Sequence, residues 1–123
     1  SLSTEAMRAH MDRAAIFVST SVYEPFGLAV LEAAAWGAAL VLSDIATFRE
    51  LWNDAALFAA PGDAGAFARC MNQLSEDEEL RESLAERVRL RALEFSPARQ
   101  AECVRRVYRR ALAGRVPAMT MAR

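Results

Sequence analysis

Ala14-Ala15-Ile16-Phe17-Val18, Ser19-Thr20-Ser21-Val22-Tyr23-Glu24-Pro25-Phe26-Gly27 and Leu28-Ala29-Val30-Leu31-Glu32-Ala33-Ala34-Ala35-Trp36-Gly37 follow one another without a gap, and their reading decides the fold. The first run is short, continuously apolar and bounded by polar residues, which predicts a strand buried on both faces, as in a parallel sheet. The second is a polar loop stiffened by Pro25. The third is rich in Ala and Leu and predicts a helix that Gly37 ends from the C′ position. A loop therefore joins the end of a strand to the start of a helix.

Working outward, the same grammar repeats. Residues 39–42 predict a second buried strand, stopped by Ser43-Asp44. A short helix follows near residues 47–52, then a brief third strand at 56–59 before Pro61-Gly62-Asp63. Upstream, Ser3 and Thr4 are suited to cap a helix running to about Arg13. Strands alternating with helices predict an α/β fold, a partial Rossmann-like layer with about three parallel strands flanked by helices. Doubly wound sheets commonly have five or six strands, so the expectation is half a sheet.

Beyond Asp63 the pattern turns wholly helical, with helices expected near residues 64–74, 76–93 and 97–113. Ser75 with Glu78 reads as a capping box. Glu76, Asp77, Glu78 and Glu79 lie at the positive start of the second helix, and Arg87, Arg89 and Arg91 at its negative end. Leu80, Leu84 and Val88 share its apolar face. Ser96 and Pro97 open the last helix, and Gly114 with Pro117 closes it.

Composition narrows the class. The 123 residues allow one domain or part of one, and the chain does not open with Met, so the protein's own start is expected upstream. No apolar run approaches the roughly 20 residues of a membrane span. The formal net charge of −1 argues against a nucleic-acid binder. Every basic side chain is Arg, and residues 97–123 hold most of their charge as Arg against the single acid Glu102. This basic tail reads chiefly as a solvated helix face; an acidic neighbouring domain or an anionic membrane surface is the alternative partner. Cys70 and Cys103 are expected as free, reduced thiols in the cytoplasm. His10 is the sole histidine and there is no Asp-x-Asp pair, so no metal site and no Ser-His-Asp triad is expected. No Gly-x-Gly-x-x-Gly follows a strand, which argues against a dinucleotide cofactor.

The chemistry concentrates at the first loop. A helix beginning at the carboxyl edge of a parallel sheet turns unpaired N–H groups and a positive dipole end toward the crevice. Gly27 and Leu28 begin such a helix, and a Cβ-free Gly27 lets a diphosphate approach its backbone. Glu32 stands four residues beyond Leu28, on the same face, so Glu24 and Glu32 bracket that helix start. A carboxylate accepts two hydroxyl protons side by side, which suits a ribose diol or a sugar hydroxyl. Asp44 and Glu50 read as helix-start and loop acids, and Trp36, Phe48 and Trp52 as packing residues.

The string from Ser21 to Ala33 resembles the Glu-x7-Glu signature of the retaining, two-domain group 1 glycosyltransferases. The likeness runs on through Ala34-Ala35-Trp36-Gly37, Ser43-Asp44, Glu50, Leu57-Phe58 and Pro61-Gly62-Asp63. Ala39 stands where the family usually has proline, and Trp36 where it has a smaller residue. The resemblance implies a two-lobe (GT-B) enzyme whose C-terminal, donor-binding lobe supplies residues 1–96, with residues 97–123 as its basic helix and tail. It implies that Glu24, also catalytic, meets hydroxyls of the donor sugar, that the backbone of Phe26, Gly27 and Leu28 holds sugar and diphosphate, and that Glu32 takes the ribose hydroxyls. No cofactor or metal is expected; the nucleotide sugar is a substrate. In such enzymes an Arg and a Lys from earlier in the lobe neutralise the leaving diphosphate, and an N-terminal acceptor lobe closes over the donor. Neither falls within this sequence, so the separate chain is expected to be inactive. The alternatives are a stand-alone nucleotide-binding or self-assembling module pairing through its open sheet edge, and a related sugar-nucleotide epimerase.

Overall fold

The computed structural model describes residues 3–6, 9, 14–25, 27–95 and 97–114. In chain order its elements are β1 (Ile16–Ser19), α1 (Leu28–Ala35), β2 (Ala39–Ser43), α2 (Ala46–Trp52), β3 (Leu57–Ala59), α3 (Ala64–Glu76), α4 (Glu78–Leu93) and α5 (Pro97–Leu112). Before β1, residues 4–6 are helical and the Ser3 hydroxyl accepts the Ala6 N–H at 3.1 Å, the expected cap. The rest of that helix falls largely outside the described residues, as do His10, Ser96 and Pro117. The chain divides into two compact units, Ser1–Ala92 and Leu93–Arg123.

The first unit is a Rossmann-like α/β layer built on one parallel sheet, ordered β1-β2-β3, with Ile16 opposite Ala39 and Val41 opposite Leu57. All five residues of central β2 are buried, because both faces of the strand are covered. Leu40 and Leu42 pack with Val30, Ala33 and Ala34 of α1, Phe48 and Trp52 of α2 and Val88 of α4. Ala39 and Val41 pack with Ala59, Phe67 and Leu74 of β3 and α3 and with Leu84 of α4. The period-2 alternation of β2 thus feeds two separate cores, and Leu84 and Val88 of one helix serve one each. β1 departs from expectation. Its four residues are only half-buried, since it is an edge strand and no further strand flanks it among the described residues.

Local chemistry sets the ends of the helices. Gly37, at φ 84°, donates to Ala34 O and Ala38 donates to Ala33 O, a Schellman ending for α1 as Gly37 predicted. Trp36 just before it is 45% exposed and does not join the core that holds Phe48 and Trp52. The capping box expected at Ser75 does not form. α3 runs through Ser75 to Glu76, and the carboxylate of Asp77 instead accepts the Leu80 N–H at 2.9 Å, so Asp77 opens α4. Arginines expected to act on their own helix end reach further. Arg87 donates to Asp54 O at 3.0 Å, and Arg91 to Asn53 O at 2.5 Å and Leu51 O at 3.4 Å, closing the carbonyl end of α2. Cations at such an end contribute about 0.3–1 kcal/mol each.

In the second unit α5 begins at Pro97, as expected, and Gly114 follows its end at φ 67°. Val104, Tyr108 and Leu112 recur every four residues and are exposed, and Arg105 pairs with Glu102 at 3.2 Å. No helix among the described residues is long and apolar enough to cross a membrane.

Candidate functional site

Parallel strands place every loop that leaves a carboxyl end at one edge of the sheet, so the 20–27 loop and the turn into α2 are neighbours. Serines carry the chain out of the ladder there. The buried Ser43 donates through its hydroxyl to Ser19 O at 3.3 Å, and the Ser19 hydroxyl donates to that of Ser21, also at 3.3 Å. Pairing between β1 and β2 is thereby extended into the start of the loop.

At the far end of the loop Gly27 is the N-cap of α1, in the left-handed conformation (φ 62°, ψ 40°), with no side chain capping the helix. The Leu31 N–H reaches Gly27 O at 2.9 Å, closing the first turn. Gly27's own N–H donates to Glu24 Oε1 at 3.0 Å. That bond refines the reading of both residues. Glu24 is half-buried and tied to the loop, with Oε2 still an acceptor for a partner. The room that Gly27 leaves is not open crevice, because a Cβ there would lie 3.3 Å from Phe48 Cε1 and 3.8 Å from Glu24 Cγ. Glycine is needed for the positive φ and for the aromatic ring beside it.

Leu28 is 66% exposed, and Glu32 one turn later is exposed with it, while Val30, Ala33 and Ala34 face the core. Glu24, Gly27, Leu28 and Glu32 thus lie along the start of α1, Gly27 buried, Glu24 half-buried and Leu28 and Glu32 exposed. Phe26 falls outside the described residues.

The neighbouring turn holds what the sequence did not disclose. Asp44, expected as a helix-start acid, caps nothing. Ile45 is the N-cap of α2, and the Asp44 carboxylate takes a fork from Arg49, with Nε to Oδ1 at 2.7 Å and the second nitrogen to Oδ2 at 2.9 Å. The hydrogen bonds from Arg49 hold the Asp44 carboxyl below its usual range and push the Arg49 guanidinium up. That guanidinium also lies 3.9 Å from the Phe58 ring centroid and donates to Asn53 Oδ1 at 3.3 Å. Arg49 is therefore engaged on several sides. Asp44 and Arg49, five apart across the start of α2, carry no helical periodicity that announces them. Glu50 is exposed. Cys70 is a free thiol whose nearest acceptor is Phe58 O at 3.8 Å, and the Cys103 side chain is not among those described. No group of three or more His, Cys, Asp or Glu side chains is placed to hold a metal among the described residues.

A three-stranded parallel sheet flanked by helices, with a glycine-started helix at its carboxyl edge, defines an α/β protein of the Rossmann-like class. Residues 1–91 match the family described as Glycosyl transferases group 1, nearly the whole of the first unit, and the chain belongs to that family. It is 38% identical over 80 residues to the O-antigen chain mannosyltransferase B of Escherichia coli, covering 65% of this chain and 21% of that protein. Its fold superposes on a sucrose-phosphate synthase from Thermosynechococcus elongatus with a TM-score of 0.79 at 26% identity, covering 93% of this chain and 29% of the synthase. The chain thus spans about a fifth to a third of the length of these relatives.

Proposed function

We propose that the chain holds the donor in a sugar transferase. The donor is a nucleotide-diphosphate sugar, bound with its diphosphate against the first turn of α1, its ribose hydroxyls on Glu32 and a sugar hydroxyl on Glu24. The observation that carries the reading is the start of α1: a left-handed Gly27 without a side-chain cap, opening at the carboxyl edge of a parallel sheet between two glutamates. Anions are stabilised at such a helix start by unpaired N–H groups and the helix dipole. Membership of the group 1 family and similarity to a mannosyltransferase support transfer over epimerisation.

Under this reading the transfer is retaining and needs no metal, and it takes place in the cytoplasm in a longer two-lobe protein. The cations that stabilise the leaving diphosphate come from outside this chain, which has no lysine and whose Arg49 is engaged by Asp44. An acceptor-binding lobe and the strands that cover the free edge of β1 belong to that longer protein as well.

The test is sugar transfer by the full-length protein with UDP-glucose and GDP-mannose as first probes. Glu32→Ala is expected to raise the donor KM about tenfold or more with little change in kcat, the mark of a lost ribose contact. Glu24→Ala is expected to lower kcat as well, since it also removes the bond to Gly27. Transfer near wild type in both variants removes the site assignment, and inversion at the anomeric carbon of the product removes the retaining mechanism.

A further inference from the structure

We propose that Phe48 is a positioning residue for Glu24, its ring edge holding the Gly27 backbone so that the Glu24 carboxylate stays fixed on the donor loop; the proposal rests on the donor-holding role of that loop. Three observations lead there. First, Gly27 sits so close to Phe48 that a Cβ would lie 3.3 Å from Cε1, and the ring is fully buried, so it has no free direction in which to withdraw. Second, Gly27 is the donor to Glu24 Oε1 at 3.0 Å, so the orientation of its N–H decides where the carboxylate rests. Third, the helix that carries Phe48 is held at both ends. The fork between Asp44 and Arg49 ties its start to the end of β2, and Arg91 from α4 takes the carbonyls of Leu51 and Asn53 at its finish.

Loops are less restrained than the elements that carry them, and precise chemistry needs its groups locked by a supporting layer. The 20–27 loop has the serine contacts at its beginning and the ring at its end. Phe48 itself touches neither sugar nor phosphate. It acts through Gly27, and a glutamate held by a backbone N–H that is itself fixed loses less freedom when a sugar hydroxyl arrives.

The experiment needs a readout that ordinary core packing does not move. In the full-length protein, carbonyl-13C phenylalanine with 15N glycine selects the peptide joining Phe26 to Gly27, identified by its loss in Gly27→Ala. While Glu24 accepts its N–H, the Gly27 amide signal depends on the carboxylate, and the amide response is the shift of that signal on Glu24→Gln. Phe48→Leu is expected to abolish that response and to raise the donor KM about tenfold. Leu74→Ala, in the opposite core, is expected to lower Tm while leaving both the amide response and the KM intact. Phe48→Met, whose unbranched thioether adapts to an irregular core gap, serves if the leucine variant does not fold. A wild-type amide response in the folded Phe48 variant overturns the proposal, as does an unchanged KM with only a Tm loss like that of Leu74→Ala. If the amide response is lost while Glu24→Ala and Glu32→Ala leave transfer intact, the loop is positioned by Phe48 and it is the donor reading that falls.

Discussion

The starts of α1 and α3 solve the same problem in opposite ways. α3 begins at Asp63, whose carboxylate accepts the Ala66 N–H at 3.0 Å, and α4 repeats the device with Asp77 and adds Glu78 and Glu79 in its first turn. α1 begins at a glycine, with no side-chain cap and no acid in its first turn. A helix of only eight residues gains most from a cap, so leaving it without one forgoes about 1 kcal/mol of stability. Both α1 and α3 follow the carboxyl end of a strand, β1 and β3 respectively, so their place in the sheet does not set the difference. One start is closed by its own carboxylate, and the other, under the proposed donor reading, is left for a bound anion to complete.

The sharpest way to break this contrast is Gly27→Ala. The left-handed conformation costs an alanine roughly 1–2 kcal/mol, and the new Cβ meets the Phe48 ring. The expected result is a fall of about 2 kcal/mol or more in unfolding free energy by denaturant titration, with sugar transfer lost. Asp63→Ala is expected to cost about 1 kcal/mol, as is Asp77→Ala, with the donor KM unchanged in both. A KM that moved with either cap would erase the distinction between closed and open ends.

A substitution that makes α1 resemble α4 runs the comparison in reverse. Leu28→Glu places an acid in the first turn at an exposed position, expected to add about 0.3–1 kcal/mol through the helix dipole while weakening nucleoside diphosphate binding by repulsion. Tighter UDP or GDP binding in that variant contradicts an anion site at this helix start. The smallest effect concerns pH. Because the folded-state pKa of Asp44 is lowered by Arg49, its contribution is present above the unfolded carboxylate range and is lost as pH falls through the folded value. Both groups are exposed, so the expected outcome is a slight extra loss of Tm on acidification that disappears in Asp44→Asn; an identical acid limb in the two proteins shows that the pair adds nothing to stability.

Much of this was readable in advance where the determinants are local. The apolar runs gave the three strands, Gly37 the end of α1 and Pro97 the start of α5, because each depends on residues within one turn or one strand. The candidate site was legible as a string from Glu24 to Glu32, since a loop, a glycine and a four-residue helical spacing suffice to gather it. The misreadings share a cause. Ser75 and Asp77 are equally good caps in isolation, and only where α3 stops decides between them. Trp36 is apolar enough for a core, but the Schellman turn leaves it outside.

The sequence by itself determined the alternation of strands and helices and the glutamate-bracketed helix start, since side-chain periodicity and backbone preference act over a few residues. Tertiary structure alone decided that Arg49 grips Asp44, that Arg87 and Arg91 close the end of another helix, and that Phe48 rests against Gly27. The physical reason is that these contacts join segments brought side by side by the parallel sheet, and no local spacing encodes which side chains will meet across it.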